Sequence, residues 1–234
     1  MRGRIHSLES MGLMDGPGIR FVVFLQGCNL RCSYCHNPDT WERQGGILME
    51  PLELMKEISR YRPYFDASDG GVTFSGGEPL LQPEFLLEML QLCREAGIHT
   101  ALDTAGAGIG HYGEILSLTD LVILDLKHCS NAGYQEVTGV GMEAIRPFLQ
   151  ALRQSSAAVW IRHVVVPGLT DTPEHILALQ ELIQTLTRVE KIELIPYHDL
   201  GEHKYAQMGL KYKLAGTEPP SEEQIKFLQE LLSF

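Results

Sequence analysis

The segments of this chain that carry glycine, cysteine, histidine and carboxylate clusters sit at the carboxyl ends of short apolar runs, and that placement restricts the fold more than any other feature. Six such runs, at 19–25, 71–74, 98–102, 120–126, 158–166 and 191–195, are β-branched, aromatic or continuously apolar and too short for ordinary helices. Between them the pattern predicts helices over 51–61, opened by Pro51, 83–96, closed by Gly97, 141–153, and 172–187, opened by Thr172-Pro173-Glu174. A terminal amphipathic helix over about 221–232 has Glu222 and Glu223 in its first turn. Strands alternating with helices imply parallel units, which leaves an open doubly wound sheet or a barrel. The loops decide between them. They carry the Cys28 segment, Ser75-Gly76-Gly77-Glu78-Pro79, Asp103-Thr104, Asp125-Leu126-Lys127, Pro167-Gly168 and Pro196-Tyr197-His198. Loops from every strand meeting at one mouth is how barrels build sites, whereas an open sheet draws on few loops at a switch point. The expected fold is α/β, a partial (β/α)6 TIM-like barrel of parallel strands, in one domain over 1–234 with its cysteine loop at 27–37.

That loop reads Gly27-Cys28-Asn29-Leu30-Arg31-Cys32-Ser33-Tyr34-Cys35-His36-Asn37. Three thiols within eight residues, beside a glycine that permits a sharp turn, can converge on one metal centre. Three ligands leave a tetrahedral centre one short, and a four-iron cluster held by three cysteines keeps one iron open to a small molecule. The competing readings are a zinc site of Cys28, Cys32, Cys35 and His36, or thiols with no ligand role. His36 adjoins Cys35, which is awkward for closing a tetrahedron, and structural zinc usually recruits a second spaced pair that this chain lacks.

The chain has 234 residues, 44% of them hydrophobic, enough for one large core. A formal charge of −11 argues against a nucleic-acid groove, and no stretch approaches the length needed to span a bilayer. Met1-Arg2-Gly3-Arg4 is followed by no apolar leader, so a cytosolic location is expected. Cys93 falls on the apolar face of a helix and reads as a packing residue. Asp125 and Lys127 alternate on an extended segment and point to one side of it. Read alone, Lys127 is a solvated rim charge, and Arg162 serves equally as partner for an anion at the mouth or as half of a rim salt bridge.

The array Cys28-x3-Cys32-x2-Cys35, Tyr34 before its last cysteine, and Gly76-Gly77-Glu78-Pro79 resemble the radical S-adenosylmethionine superfamily. Asp15-Gly16-Pro17-Gly18-Ile19-Arg20, Tyr34-Cys35-His36-Asn37 and Pro196-Tyr197-His198-Asp199-Leu200-Gly201 resemble its glycyl-radical-enzyme activases. The resemblance implies the radical SAM core fold, one [4Fe-4S] cluster on Cys28, Cys32 and Cys35, and S-adenosylmethionine chelating the unique iron. It implies a 5′-deoxyadenosyl radical that takes hydrogen from a glycine of a client protein, with flavodoxin or ferredoxin as electron donor. No cysteine lies between Trp41 and Tyr64, so a second cluster is not expected, and that favours a client of the pyruvate formate-lyase type. On the same resemblance Tyr34, Cys35, His36, Gly76, Gly77, Glu78, Asp125, Lys127, Arg162 and His198 are expected at the cofactor, with Asp15 gripping the client loop or fixing its own turn. Asp103 and Asp125 near an anionic cofactor call for an offsetting charge, and a Na+ or K+ site of Asp103, Thr104 and Asp125 is expected. Ala105 stands where an asparagine is expected. A radical enzyme acting on a small molecule, such as a deazapurine precursor, and a zinc-binding module are the competing functions. Six strands leave a wider mouth than eight, which suits a macromolecular substrate.

Overall fold

The computed structural model describes residues 1–232. Its strands are β1 (Gly3–Gly12), β2 (Arg20–Leu25), β3 (Ile47–Met49), β4 (Gly71–Gly76), β5 (His99–Thr104), β6 (Leu121–Asp125), β7 (Ala158–Val165) and β8 (Val189–Pro196). The helices are α1 (Pro51–Ser59), α2 (Arg62–Ser68), α3 (Pro83–Glu95), α4 (Tyr112–Ser117), α5 (Asn131–Thr138), α6 (Arg146–Leu152), α7 (Pro173–Ile183), α8 (Glu202–Gln207) and α9 (Glu222–Leu231). One sheet runs in the order β3-β1-β2-β4-β5-β6-β7-β8. From β2 onward every neighbouring pair is parallel. The expected six-stranded parallel array is present, and the whole sheet is unclosed, with β3 and β8 at its edges. No helix among the described residues is long and apolar enough to cross a membrane.

Strand alternation divides the sheet into two chemistries. Val72, Phe74, Leu102, Val122, Leu124, Ile161 and Val165 face the helices and join the main core. Ser75, Asp103, Asp125 and Arg162, one position out of step with these, line a cavity on the other face. Helix α3 shows how the sequence builds the outer layer. Pro83 occupies its first turn, and Phe85, Leu86, Met89, Leu90 and Cys93 recur at helical spacing and are all buried. Each such side chain contributes about 1.5–3 kcal/mol by leaving water. Gly97, with φ 62°, ends the helix as the Ile98 amide reaches back to Cys93 O at 2.9 Å.

Several elements differ from expectation. The helix expected over 141–153 is a 3-10 turn at Met142–Ala144 followed by α6, because Pro147 lacks the amide that a continuous helix would use. The helix expected to reach 187 stops at Ile183. Strands β1 and β3, and helices α2, α4, α5 and α8, have no counterpart in the sequence reading. Strand β1 pairs antiparallel with β2 and β3, and so extends the sheet beyond its parallel part.

The turn between β1 and β2 is pinned from inside. Arg20 is fully buried; it donates to Thr73 Oγ1 at 2.9 Å and to Val72 O, and contacts His99 Nδ1 at 3.2 Å, joining the starts of β2, β4 and β5. Burial lowers its pKa to about 10, which leaves it cationic. Thr73 in turn donates to Asp15 O at 2.6 Å. Gly18 sits at φ 64°, and a side-chain carbon there would lie 2.3 Å from Ser68 O. Gly18→Ala is expected to cost about 2 kcal/mol, a fall of about 4–8 °C in Tm for a chain of this size. Scanning calorimetry reads it, and an unchanged Tm would show that the turn is not held as described.

Candidate active site

The loop leaving β2 is fixed through its backbone. Gly27 N donates to Thr40 O, and Arg31 N and Ser33 N donate to Thr138 O and Val137 O, each at 2.8 Å, so the loop is held between its own return and the end of α5. A tight turn, Cys35 N to Cys32 O at 3.1 Å, brings the last two cysteines round. All three thiols are free and line one cavity of about 370 Å³. Burial pushes Cys28 and Cys32 up to about 12 and raises Cys35 as well. Such thiols stay protonated at neutral pH unless a strongly attracting cation displaces the proton. A single tetrahedral zinc needs sulfurs about 3.8 Å apart. Among the described residues the only His, Cys, Asp or Glu set whose donor atoms all fall within 4.8 Å of one another is His128, Cys129 and His175. The three loop thiols do not form such a set.

The loop after β4 closes directly on the cysteines. Gly77 N donates to Leu25 O at 2.9 Å and Glu78 N to Gly27 O at 2.8 Å. A side-chain carbon on Gly77 would sit 2.2 Å from Gly27 O and 3.2 Å from Cys28 Cβ, so glycine is required for the contact between loops. Gly76, at φ 114°, starts the turn. Glu78 has no exposure and turns its carboxylate into the protein. One oxygen accepts from Thr104 Oγ1 and from Leu80 N at 3.1 Å; the other accepts from Ala105 N at 3.1 Å and Ala107 N at 3.3 Å. Burial raises its pKa and these donors pull it back in part. Ala105 thus serves through its amide. Thr104 lines the cavity with its hydroxyl engaged by Glu78 and the Gly106 amide, the latter at 2.8 Å.

Asp125 and Lys127 do share one side of their segment, and they form an ion pair. The Lys127 side chain is only 13% exposed and its ammonium lies 5.2 Å from the centre of the Tyr34 ring, which corrects the solvated-rim reading. Burial is the largest single influence and disfavours its charge, but Asp125, Tyr34 and Cys32 together hold its pKa well above the usual value. Asp103 accepts from Ser75 Oγ at 2.7 Å. Burial raises its carboxyl, Arg162 offsets that in part, and Asp125 adds to it. Arg162 meets Glu193 at 3.4 Å and donates to Met14 O while lining the cavity, which is the salt-bridge reading of it. Asp15 lines the same cavity, its pKa raised by burial against the pull of Arg162.

The turn after β8 is seated on the cysteine loop. His36 and His198 rings are 4.0 Å apart between centres, with His36 Nε2 3.3 Å from His198 O. Burial lowers the His36 pKa. Lys204 on α8 donates to Asn37 Oδ1 at 2.8 Å and pairs with Asp39 at 3.1 Å. Every candidate residue thus borders one mouth. The Pro167-Gly168 loop does not; β7 contributes Arg162 and Val164 instead. Trp41 and the Lys204 tether were not singled out from sequence, and Ser75 and Tyr197 were named only as members of their loops. Only Ser75 carried a signal there, because alternation along β4 puts it on the face of Thr73. Three buried atoms at the mouth, Tyr34 Oη, Asp125 Oδ1 and His198 Nδ1, make no hydrogen bond among the described residues.

Glu78→Gln faces an amide NH2 against two donors whichever way it flips, and is expected to cost about 2–4 kcal/mol. Urea unfolding checks this; a loss below about 0.5 kcal/mol would mean the carboxylate does not clasp the loops.

Residues 22–180 match the Radical SAM superfamily. Over 98% of its length the chain is 57% identical to a pyruvate formate-lyase-activating enzyme of Clostridium pasteurianum, covering 97% of that protein. It is 47% identical to pyruvate formate-lyase 1-activating enzyme of Escherichia coli K12, over 98% of this chain and 95% of the relative. A crystal structure of a domain of pyruvate-formate lyase-activating enzyme from Bacteroides vulgatus ATCC 8482 matches 70% of this chain and 92% of its own, with TM-score 0.56 and 31% identity. With its parallel array, its three thiols and its mouth at the strand ends, the chain belongs to the radical SAM superfamily.

Proposed function

We propose that this chain, acting as one domain over 1–234, activates a glycyl radical enzyme of the pyruvate formate-lyase kind by removing a hydrogen atom from a client glycine. The observation that carries this is the near full-length likeness to pyruvate formate-lyase-activating enzymes together with a mouth lined by the loops that carry the motifs.

Membership of the superfamily implies a [4Fe-4S] cluster and S-adenosylmethionine. The residues present fit both. Three thiols border one cavity. Asp125 Oδ1, Tyr34 Oη and His198 Nδ1 are buried polar atoms unsatisfied by the described residues, as a polar ligand at that mouth requires. Cys28, Cys32 and Cys35 would hold the cluster. Lys127, Asp125 and Arg162 would meet the charged groups of the sulfonium amino acid, His36 and His198 would pack and hydrogen-bond beside them, and Gly76, Gly77 and Glu78 would set the loop that they share. When bound, the cluster and S-adenosylmethionine supply a carbon-centred radical strong enough to take hydrogen from glycine.

The chain's own residues then do the positioning. Glu78 fixes three loops relative to one another, so the thiols and the strand-end charges keep one geometry. The Tyr34, Tyr197, Tyr205 and Tyr212 cluster, with Tyr212 Oη donating to Tyr197 Oη at 3.0 Å, backs the part of the mouth lined by Tyr34 and Tyr197. Asp15, on the turn pinned by Arg20, borders the cavity and would hold the client loop. Asp103, Thr104 and Asp125 bring two carboxylates to one cavity, and a Na+ or K+ ion there would offset their repulsion. Flavodoxin or ferredoxin is the proposed electron source.

The test is anaerobic. Cluster-loaded enzyme, S-adenosylmethionine and reduced flavodoxin or ferredoxin are mixed with a pyruvate formate-lyase, and electron paramagnetic resonance reads the glycyl doublet. A doublet is expected, and its yield is expected to fall when Na+ and K+ are exchanged for a bulky organic cation. No doublet even with dithionite would overturn the activation; a doublet with dithionite alone, the donor; a yield indifferent to the cation, the ion site.

A further inference from the structure

Behind the mouth, on the opposite face of the sheet, lies a second group of ligand-type side chains that the proposed activity does not use. His128 and Cys129 follow Lys127 directly, His163 lies on β7, and His175 is in the first turn of α7. Donor atoms of His128, Cys129 and His175 all fall within 4.8 Å of one another. Cys129 Sγ and His175 Nδ1 are 3.5 Å apart. Sulfur and imidazole nitrogen bound to one tetrahedral zinc at about 2.3 and 2.0–2.1 Å lie about 3.6 Å from each other. The observed separation is already that of two ligands on a shared ion.

His163 orients His175. His163 Nδ1 lies 2.6 Å from Leu126 O, and a carbonyl only accepts, so that nitrogen carries the hydrogen. In the neutral ring Nε2 is then bare and accepts from His175 Nε2 at 3.1 Å. That leaves His175 Nδ1 as a lone pair turned toward Cys129. A ligating histidine whose other nitrogen donates to a buried acceptor is the usual outer arrangement of zinc sites. Gly133 makes room for the His128 ring: a side-chain carbon there would stand 2.1 Å from His128 Cε1. The His128 and His175 rings are 4.4 Å apart between centres.

We propose that His128, Cys129 and His175 form a zinc site, the metal taking the place of the Ser130 amide from which His128 Nδ1 accepts at 3.0 Å, with His163 as the outer partner that orients His175 and with one coordination position left for water. On binding, the Cys129 thiol releases its proton to solvent. The set of two imidazoles and one thiolate suits zinc or a similar borderline divalent ion and is poor for magnesium or calcium. The ion joins the segment leaving Lys127 to the first turn of α7, and so stiffens the wall against which the Asp125–Lys127 pair rests.

The test uses the cluster-loaded enzyme with Zn2+ alone as probe. After equilibration and gel filtration with a mild chelator, zinc and iron are counted, and zinc-edge X-ray absorption reads the ligands. About one zinc per chain is expected, with unchanged iron and a shell of one sulfur and two imidazole nitrogens. Cys129→Ser and His175→Gln are expected to lower retained zinc at least tenfold with iron intact, and His163→Phe to weaken affinity about 10–100-fold. Iron content and circular dichroism show that each variant is folded. Less than about a tenth of an equivalent in the unaltered enzyme would overturn the site. So would full retention in both ligand variants, or a sulfur-rich shell with loss of iron, which would place the zinc on the cluster cysteines.

Discussion

Glu78 brings a carboxylate into a place without water and meets four donors there, and the loops after β4 and β5 hold their mutual position through those bonds. Hydrogen bonds to a charged group contribute about 1.5–3 kcal/mol each, and losing the acceptor leaves the donors buried and unpaired. The same residue's amide reaches Gly27 O, so the loop after β2 joins the assembly. Three separate strand ends thereby behave as one rigid rim. A cluster loop lacking that clasp would present its thiols at variable spacing, and a site built on sulfur positions depends on spacing.

The rim encloses groups that are costly to bring together. Asp15, Asp103 and Asp125 lie round one cavity with three thiols, against Lys127 and Arg162. Burial raises Asp15, Asp103 and the thiols alike, because each is asked to carry negative charge with little water. Lys127 answers Asp125, and Arg162 divides its attraction between Glu193 and the inner carboxylates. The arrangement favours ligands that bring positive charge, which a cationic iron–sulfur centre and a sulfonium both do.

Much of this was legible in the chain because the chemistry follows the strands. Alternation fixed which side Asp125 and Lys127 share, and the apolar runs located all six parallel strands. Strand β1 escaped because Arg4, His6, Ser7 and Glu9 break any period of two, and its pairing to β2 contains two register shifts. Strand β3 has only three residues. Lys127 was misjudged from its residue type; a partner two positions away, rather than solvent, meets its charge. The histidine and cysteine group behind β7 draws on three elements between 128 and 175. Its traces in the sequence are the adjacent His128-Cys129 pair and His163 beside Arg162 in an otherwise apolar strand.

The central claim is that Cys28, Cys32 and Cys35 hold a four-iron cluster with one iron open to S-adenosylmethionine. Anaerobic reconstitution with iron and sulfide, followed by metal and sulfide counting and electron paramagnetic resonance of the reduced protein with and without S-adenosylmethionine, tests it most directly. The result expected is about four iron and four sulfide per chain, brown colour, and a reduced-cluster signal that changes when S-adenosylmethionine is added. A colourless protein holding zinc on those three thiols, or a cluster signal indifferent to S-adenosylmethionine, would contradict it.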